Sequence, residues 1–313
     1  MRSKPKVEIL VPLFNEEDGL PSLVKTIETR LKKLPYQFSF LFIDDGSTDR
    51  TLDLARTIPS WPSKIIKLSK NFGKEIAVQS GIENATGDAL ILIDADMQDP
   101  IELIPQFLDH WENGYEIVYG IRSNRDHDPA FQRFTSEFFY RIFLKLANVN
   151  FPPHTTDARL VTRKVVNALK EMKDFNRFNK GIFHSIGFVS IGVTFTRDKR
   201  THGQTRWAKK RLFALAKDAF LSFTTRPLNW STYIGLIIAF ISIALGVFYA
   251  IRKMLFDIGP SGYTSVIVAI LFLGSIQLIS LGILGLYVSQ LIGETKKRPL
   301  YFVSEIIEAN GKR

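Results

Sequence analysis

The chain of 313 residues contains no cysteine. That excludes disulfides and thiolate metal sites, and it fits a reducing compartment. Histidine is scarce too: there are five, and none is paired at ligand spacing. A bound metal would then rely on oxygen ligands, which favours Mg2+ or Mn2+. No GxGxxG comes after the first apolar run and no P-loop occurs, so neither glycine cradle for phosphates is present. Arg2, Lys4 and Lys6 open the chain without the apolar core of a signal peptide, and export of the N-terminal domain is not expected. No internal repeat or low-complexity tract stands out.

Charge is also missing from two long stretches. Trp230 to Ile251 (WSTYIGLIIAFISIALGVFYAI) and Ile258 to Gly293 carry no charged residue, and the six residues between them include Arg252, Lys253 and Asp257. A bilayer core needs about 20 apolar residues as helix. Two transmembrane helices are therefore expected, and two crossings return the chain to its starting side. Arg197 to Arg211, before the first run, is densely basic, and Lys296, Lys297, Arg298, Lys312 and Arg313 lie beyond the second. By the positive-inside rule the large N-terminal domain and the tail are both cytoplasmic. The net charge of +10 arises largely from residues near the apolar runs, where anionic headgroups attract them. No nucleic-acid-binding signature accompanies it, and nucleic acid is not an expected partner.

The chain thus divides into four regions: a soluble domain over 1–206, an amphipathic juxtamembrane segment over 207–229, two spans over 230–293 and a tail over 294–313. Within 207–229, Leu212, Leu215, Ala216, Ala219, Phe220 and Phe223 share one helical face, with Lys210, Arg211 and Lys217 largely opposite. Such a helix suits the headgroup region. Phe131, Phe134, Phe138, Ile142 and Leu146 form a second apolar face, which either packs on the core or meets lipid.

The soluble part alternates strands and helices. VEILVPLF, FSFLFIDDGSTD, KIIKLS and ALILIDAD read as strands, with helices over Leu20 to Leu31, from a cap at Ser47 or Thr48 through Arg56, and over Lys74 to Ala85. This alternation predicts an α/β fold with a mostly parallel sheet and helices on both faces. Ligands bind such sheets beyond the carboxyl ends of the strands. Three of those ends carry acids or an amide: Asn15, Glu16 and Glu17; Asp44 and Asp45; Asp94 and Asp96.

Asp94 and Asp96 are two apart, so a persisting strand would point both side chains the same way. Their repulsion calls for a cation. Mg2+ and Mn2+ bind one or two carboxylates and complete their shell with water and substrate phosphates. Asp45, Asp49 and Asp99 read better as turn and cap residues than as ligands. Arg159 suits a structural ion pair as well as a functional one, and Lys70 and Lys74 are either solvated or near phosphate.

Seven motifs occur in a telling order: VPLFNEE, IDDGSTD, NFGKEIAVQSG, DADMQDP, GIRSNR, TTDARLVTRKVV and RDKRTHGQTRW. In this order they resemble the polyprenyl-phosphate glycosyltransferases of inverting family 2, which include dolichol-phosphate mannose synthase and have the GT-A fold. The two C-terminal spans are similar to those of the bacterial undecaprenyl-phosphate branch. The resemblance implies that Pro12, Asn15 and Glu16 hold the nucleoside and that Asp44 recognises its base or ribose. It implies a metal and diphosphate site at Asp94, Asp96 and Gln98. Asp157 matches the acid beside the acceptor, often assigned as catalytic base, so Asp157 and Asp96 are the catalytic candidates. Arg122 and Arg125 fall on the acceptor side, and Arg197 and Arg200 in a basic loop over the phosphates. The family usually has Ser-Lys-Tyr or Ser-Lys-Trp where Thr205, Arg206 and Trp207 stand, which changes the contacts of that loop.

The implied reaction is transfer of a hexose, with inversion, from a nucleotide sugar to a polyprenyl phosphate at the bacterial inner membrane. The topology points to glucose from UDP-glucose. N-acetylhexosamine, galactose, mannose and aminoarabinose derivatives stay open, as do GDP as carrier and oligomerisation through the spans. A processive polysaccharide synthase is the rival enzyme, but GQTRW is one residue short of its QxxRW motif and two spans offer little channel. A membrane-tethered binder of nucleotide sugars would need no acceptor-side acid or arginines.

Overall fold

A computed structural model describes residues 4–123, 152, 154–172, 179–196, 226–256, 262–296, 298–309 and 311. It divides into two compact units, Met1–Ala219 with Arg298–Arg313, and Phe220–Lys297.

The first unit is built on an eight-stranded sheet: β1 (Lys6–Leu13), β2 (Gln37–Asp44), β3 (Ser63–Leu68), β4 (Ala89–Leu92), β5 (Ile117–Arg122), β6 (Thr155–Thr162), β7 (Ser190–Phe195) and β8 (Val303–Ala309). Their spatial order is β7-β5-β6-β4-β1-β2-β3-β8. Pairings β1–β2, β1–β4, β2–β3 and β5–β7 are parallel; β4–β6, β5–β6 and β3–β8 are antiparallel. The central strands read as nearly continuous apolar runs because both faces are covered. On one face, Val7, Ile9, Val11, Phe40, Phe42 and Ile91 join a core with α1 (Leu20–Leu31) and α4 (Leu103–Glu112). Helix α1 supplies Leu20, Leu23, Val24, Ile27 and Leu31, the spacing of one helical stripe. On the other face Leu10 meets α3 (Lys74–Asn84), where a Cβ on Gly81 would lie 2.2 Å from Leu10 Cδ1. Helices α2 (Thr51–Thr57), α5 (Arg163–Glu171) and α6 (Asn179–Ser185) complete the described helices of this unit.

Three local expectations change. β4 stops at Leu92, so strand alternation does not carry Asp94 and Asp96. Neither Ser47 nor Thr48 caps α2; both bind Asn15, and Asp49 Oδ1 accepts the Thr51 N–H at 3.0 Å instead. The segment read as a tail contains β8, which pairs with β3 and is tied down by Arg56 to Glu305 at 3.0 Å.

The second unit is α7 (Arg226–Phe256) with α8 (Tyr263–Thr295). Leu228–Tyr249 and Ala269–Thr295 both reach a mean hydropathy of 2.2, and none of either window is buried. Leu236 is 63% exposed and Phe240 75%. A helix of a soluble core would hide such residues, so both helices are long and apolar enough to cross a bilayer. The Phe131 helix and the segment Leu212 to Phe223 lie outside the described residues.

Candidate active site

Strands β4, β1 and β2 are neighbours and end at one edge of the sheet. Leu13 stands opposite Asp44, and Leu10 opposite Leu92. β6 runs the other way, with Arg159 opposite Leu92, so Asp157 enters from that same edge. β5 ends there too, with Ile121 opposite Thr155, and carries Arg122. One edge therefore collects Asn15, Glu16, Asp44, Asp94, Arg122 and Asp157.

The β1 and β2 loops interlock. Asn15 adopts a left-handed φ of 54°. Its N–H donates to Ser47 Oγ at 3.0 Å, and its Oδ1 accepts the Thr48 N–H at 2.9 Å. Asn15 thus organises the loop, and Pro12, half-buried within β1, leads into it. Asp44 is fully buried. Its Oδ1 accepts the Ser47 N–H at 3.2 Å, while Oδ2 has no partner. A buried carboxylate oxygen without a donor is costly, and a ligand N–H or O–H would relieve it.

Asp45 faces the next loop, accepting the Phe72 N–H at 2.7 Å and the Gly73 N–H at 2.8 Å. Its role is structural, as its turn position suggested. Gly46 has a φ of +74°, and a Cβ there would lie 2.6 Å from the Lys70 carbonyl carbon. Gly46→Ala is therefore expected to combine left-handed strain with a backbone clash, costing roughly 2 kcal/mol or more. For a domain this size that lowers Tm by about 4–8 °C, read by thermal unfolding in detergent.

The anchored loop delivers Lys74 to the start of α3. Its Nζ lies 2.6 Å from Asp94 Oδ2 and 2.5 Å from Asp157 Oδ2. Lys180 Nζ lies 3.5 Å from Asp157 Oδ1. Glu75 places Lys180: its carboxylate accepts the Asn179 N–H at 2.8 Å, and its carbonyl accepts from Asn179 Nδ2 at 3.0 Å. Arg159, almost wholly buried, donates to the carbonyls of Asp157 at 3.0 Å and Thr156 at 2.9 Å and stacks on Phe183 at 4.1 Å.

These contacts set the protonation states. Burial works against ionised Asp157, but Lys180, Lys74 and Arg159 outweigh it and hold this carboxyl well below the usual range. For Asp94 burial wins: Lys74 pulls its pKa down, Asp157 and Asp96 push it up, and it settles at about 6. Glu16 is raised to about 7 by burial and then by Asp96, Asp49, Asp94 and Asp18. Burial lowers Lys74, yet Asp157 and Asp94 prevail and keep it protonated.

Asp96 is exposed, and its Oδ1 accepts the Gln98 N–H at 3.1 Å. Asp94 Oδ1 is buried without a partner. No three carboxylate or imidazole groups converge on one point among the described residues. An unpartnered carboxylate oxygen, an exposed neighbouring acid and a surplus of negative charge do fit a Mg2+ or Mn2+ ion that takes most of its ligands from water and phosphate. Asp49 sits in the turn before α2, where its carboxylate accepts the Thr51 N–H at 3.0 Å and the Glu17 N–H at 3.3 Å, while Arg50 at the N-cap position makes no side-chain cap. Lys180 escaped notice because FNKGIF resembles any amphipathic helix start. Arg125, Arg197 and Arg200 lie outside the described residues, as do Thr205, Arg206 and Trp207.

Residues 8–170 match the family model "Glycosyl transferase family 2". The chain belongs to glycosyl transferase family 2. This family 2 chain has the GT-A fold. It is 38% identical over 303 residues to the prophage bactoprenol glucosyl transferase homolog of Escherichia coli K12, covering 96% of this chain and 99% of that one. To the SfII prophage-derived bactoprenol glucosyl transferase of Shigella flexneri it is 37% identical over 307 residues, covering 97% and 99%. An uncharacterized glycosyltransferase of Synechocystis is 41% identical over 305 residues, covering 96% and 95%. Among solved structures, Mycobacterium tuberculosis glucosyl-3-phosphoglycerate synthase with Mn2+, UDP-glucose and phosphoglyceric acid matches at 16% identity and a TM-score of 0.47, covering 69% of this chain and 78% of that one.

Proposed function

We propose that this family 2 glycosyltransferase moves glucose from UDP-glucose to the phosphate of a polyprenyl lipid, with inversion, at the cytoplasmic face of the bacterial inner membrane. The near-full-length likeness to two bactoprenol glucosyl transferases carries the reading. The sheet edge supports it residue by residue. Asp44 offers its unpartnered oxygen to the nucleoside, in a loop shaped by Pro12, Asn15 and Glu16. Asp94 and Asp96, with Gln98 beside them, would hold Mg2+ or Mn2+ on the donor side of the edge. The ion, when bound, offsets the charge that builds on the leaving UDP.

The acceptor is itself the nucleophile. A phosphate monoester has its second pKa near ~6 and is largely ionised at neutral pH, so little proton abstraction is needed. Asp157, held ionised by its cationic neighbours, serves to orient them around the acceptor. Arg122 belongs to this side by its place at the end of β5, and the resemblance adds Arg125, Arg197 and Arg200. Two bilayer-spanning helices would hold the protein at the membrane in which the acceptor lipid resides. The chain leaves that domain before α7 and rejoins its sheet at β8, which agrees with two crossings and a cytoplasmic C-terminus.

The test is incubation of purified protein with Mg2+ or Mn2+, undecaprenyl phosphate and a panel of nucleotide sugars, followed by mass spectrometry of the extracted lipid. One glucose per lipid, from UDP-glucose alone, is expected. Consumption of another sugar nucleotide would change the donor, longer glycans would favour a processive synthase, and binding without product would leave a receptor.

A further inference from the structure

Among the described residues, Lys74 is the ammonium that touches both halves of the edge: Asp94, on the donor side, at 2.6 Å and Asp157, on the acceptor side, at 2.5 Å. Both acids are only about a quarter exposed, so neither is neutralised well by solvent. Asp45 fixes the backbone just before Lys74, and Glu75 just after it binds the start of α6. The ammonium is thus delivered by a braced turn.

Consider what loading the donor site does to this contact. A divalent cation at Asp94 would bring two positive charges to a carboxylate already shared with Lys74, and like charges at such a distance repel strongly. Asp157 remains as a partner for Lys74, with Lys180 on its other oxygen. The two ammonium groups there suit one ligand: a phosphate monoester dianion.

Building on the proposed reaction, we propose that Lys74 is a positioning residue that couples the two substrates: it neutralises Asp94 and Asp157 while the donor site is empty, and turns to the acceptor phosphate when the donor's cation engages Asp94. This predicts opposite effects on metal binding and turnover from one substitution. Lys74→Met keeps the shape and removes the charge. In full-length protein in detergent, its affinity for Mn2+ without nucleotide, read by electron paramagnetic resonance, should rise at least about tenfold, because a competing charge is gone. Turnover should fall about a hundredfold with a raised KM for undecaprenyl phosphate, while KM for the donor stays near that of the wild type. Lys74→Arg, which keeps the charge, should keep Mn2+ affinity low and recover part of the acceptor binding. A purely structural lysine would move Tm and leave Mn2+ affinity unchanged or weaker. Mn2+ affinity in Lys74→Met at or below the wild-type value overturns the assignment; if that variant does not fold, Lys74→Arg with Mn2+ affinity raised tenfold overturns it as well. Wild-type protein that binds neither Mn2+ nor UDP would instead overturn the donor-site reading itself.

Discussion

Asp157→Asn is expected to reduce turnover by about 10²–10⁴-fold while UDP binding in the presence of Mn2+ survives. The loss stems from the charges around the residue, not from a missing base. Lys180, Lys74 and Arg159 stabilise the ionised carboxylate and hold its pKa well below the ordinary range. So weak a base removes protons poorly at neutral pH. What an amide would lose is the anion that fixes Lys74 and Lys180 on either side of it. Without that anion the two ammonium groups repel each other, and the proposed acceptor site would open.

The pH dependence separates the two roles. A depressed pKa contributes stability above the ordinary carboxylate value that is lost only as pH falls through the lower folded value, so Asp157 stays ionised throughout the working range. The acid limb of kcat/KM should then come from the second ionisation of the acceptor phosphate near ~6 and from Asp94, at about 6. In the residual activity of Asp157→Asn that limb should persist. Its disappearance, or full activity in the variant, would remove this account of Asp157.

Much of the edge was legible because strand ends announce themselves. An apolar run stopping at Asp44 or Asp94 locates a carboxylate at the rim, and parallel pairing of neighbours gathers the rims. What stayed hidden depends on partners distant in sequence. Asp94 and Asp157 are brought together by Lys74, from a third element, and nothing in DADMQDP or TTDARL says so. Ser47 had the spacing of a cap, yet Asn15 lies 32 residues away and takes its hydroxyl. β8 was obscured by the basic cluster Lys296 to Arg298, which dominates the tail's charge pattern, although VSEIIEA alternates enough for an edge strand. The even pairing of Asp94 and Asp96 assumed four more residues of strand than β4 contains.

Asp94→Asn should abolish both activity and metal-dependent donor binding, a phenotype distinct from that of Asp157→Asn. Asp94 has one oxygen on Lys74 and one buried without a partner, the oxygen best placed to meet a cation. Its pKa is raised to about 6, chiefly by burial, so the charged form is strained in the empty site and gains from an arriving positive charge. An amide is nearly the same shape but offers neither charge nor a second acceptor oxygen. Loss of the ion's support for the leaving diphosphate should cost roughly 10³-fold or more in turnover. UDP-glucose affinity, measured by calorimetry with Mn2+, should fall to the value seen with chelator, and adding Mn2+ should no longer raise it. Removing the acid also frees Lys74 to settle on Asp157, so Tm without metal should hold steady or rise. A variant that still binds UDP-glucose in a Mn2+-dependent way would move the ion off Asp94 and onto Asp96 and Glu16, two acids whose charges act on one another at that rim.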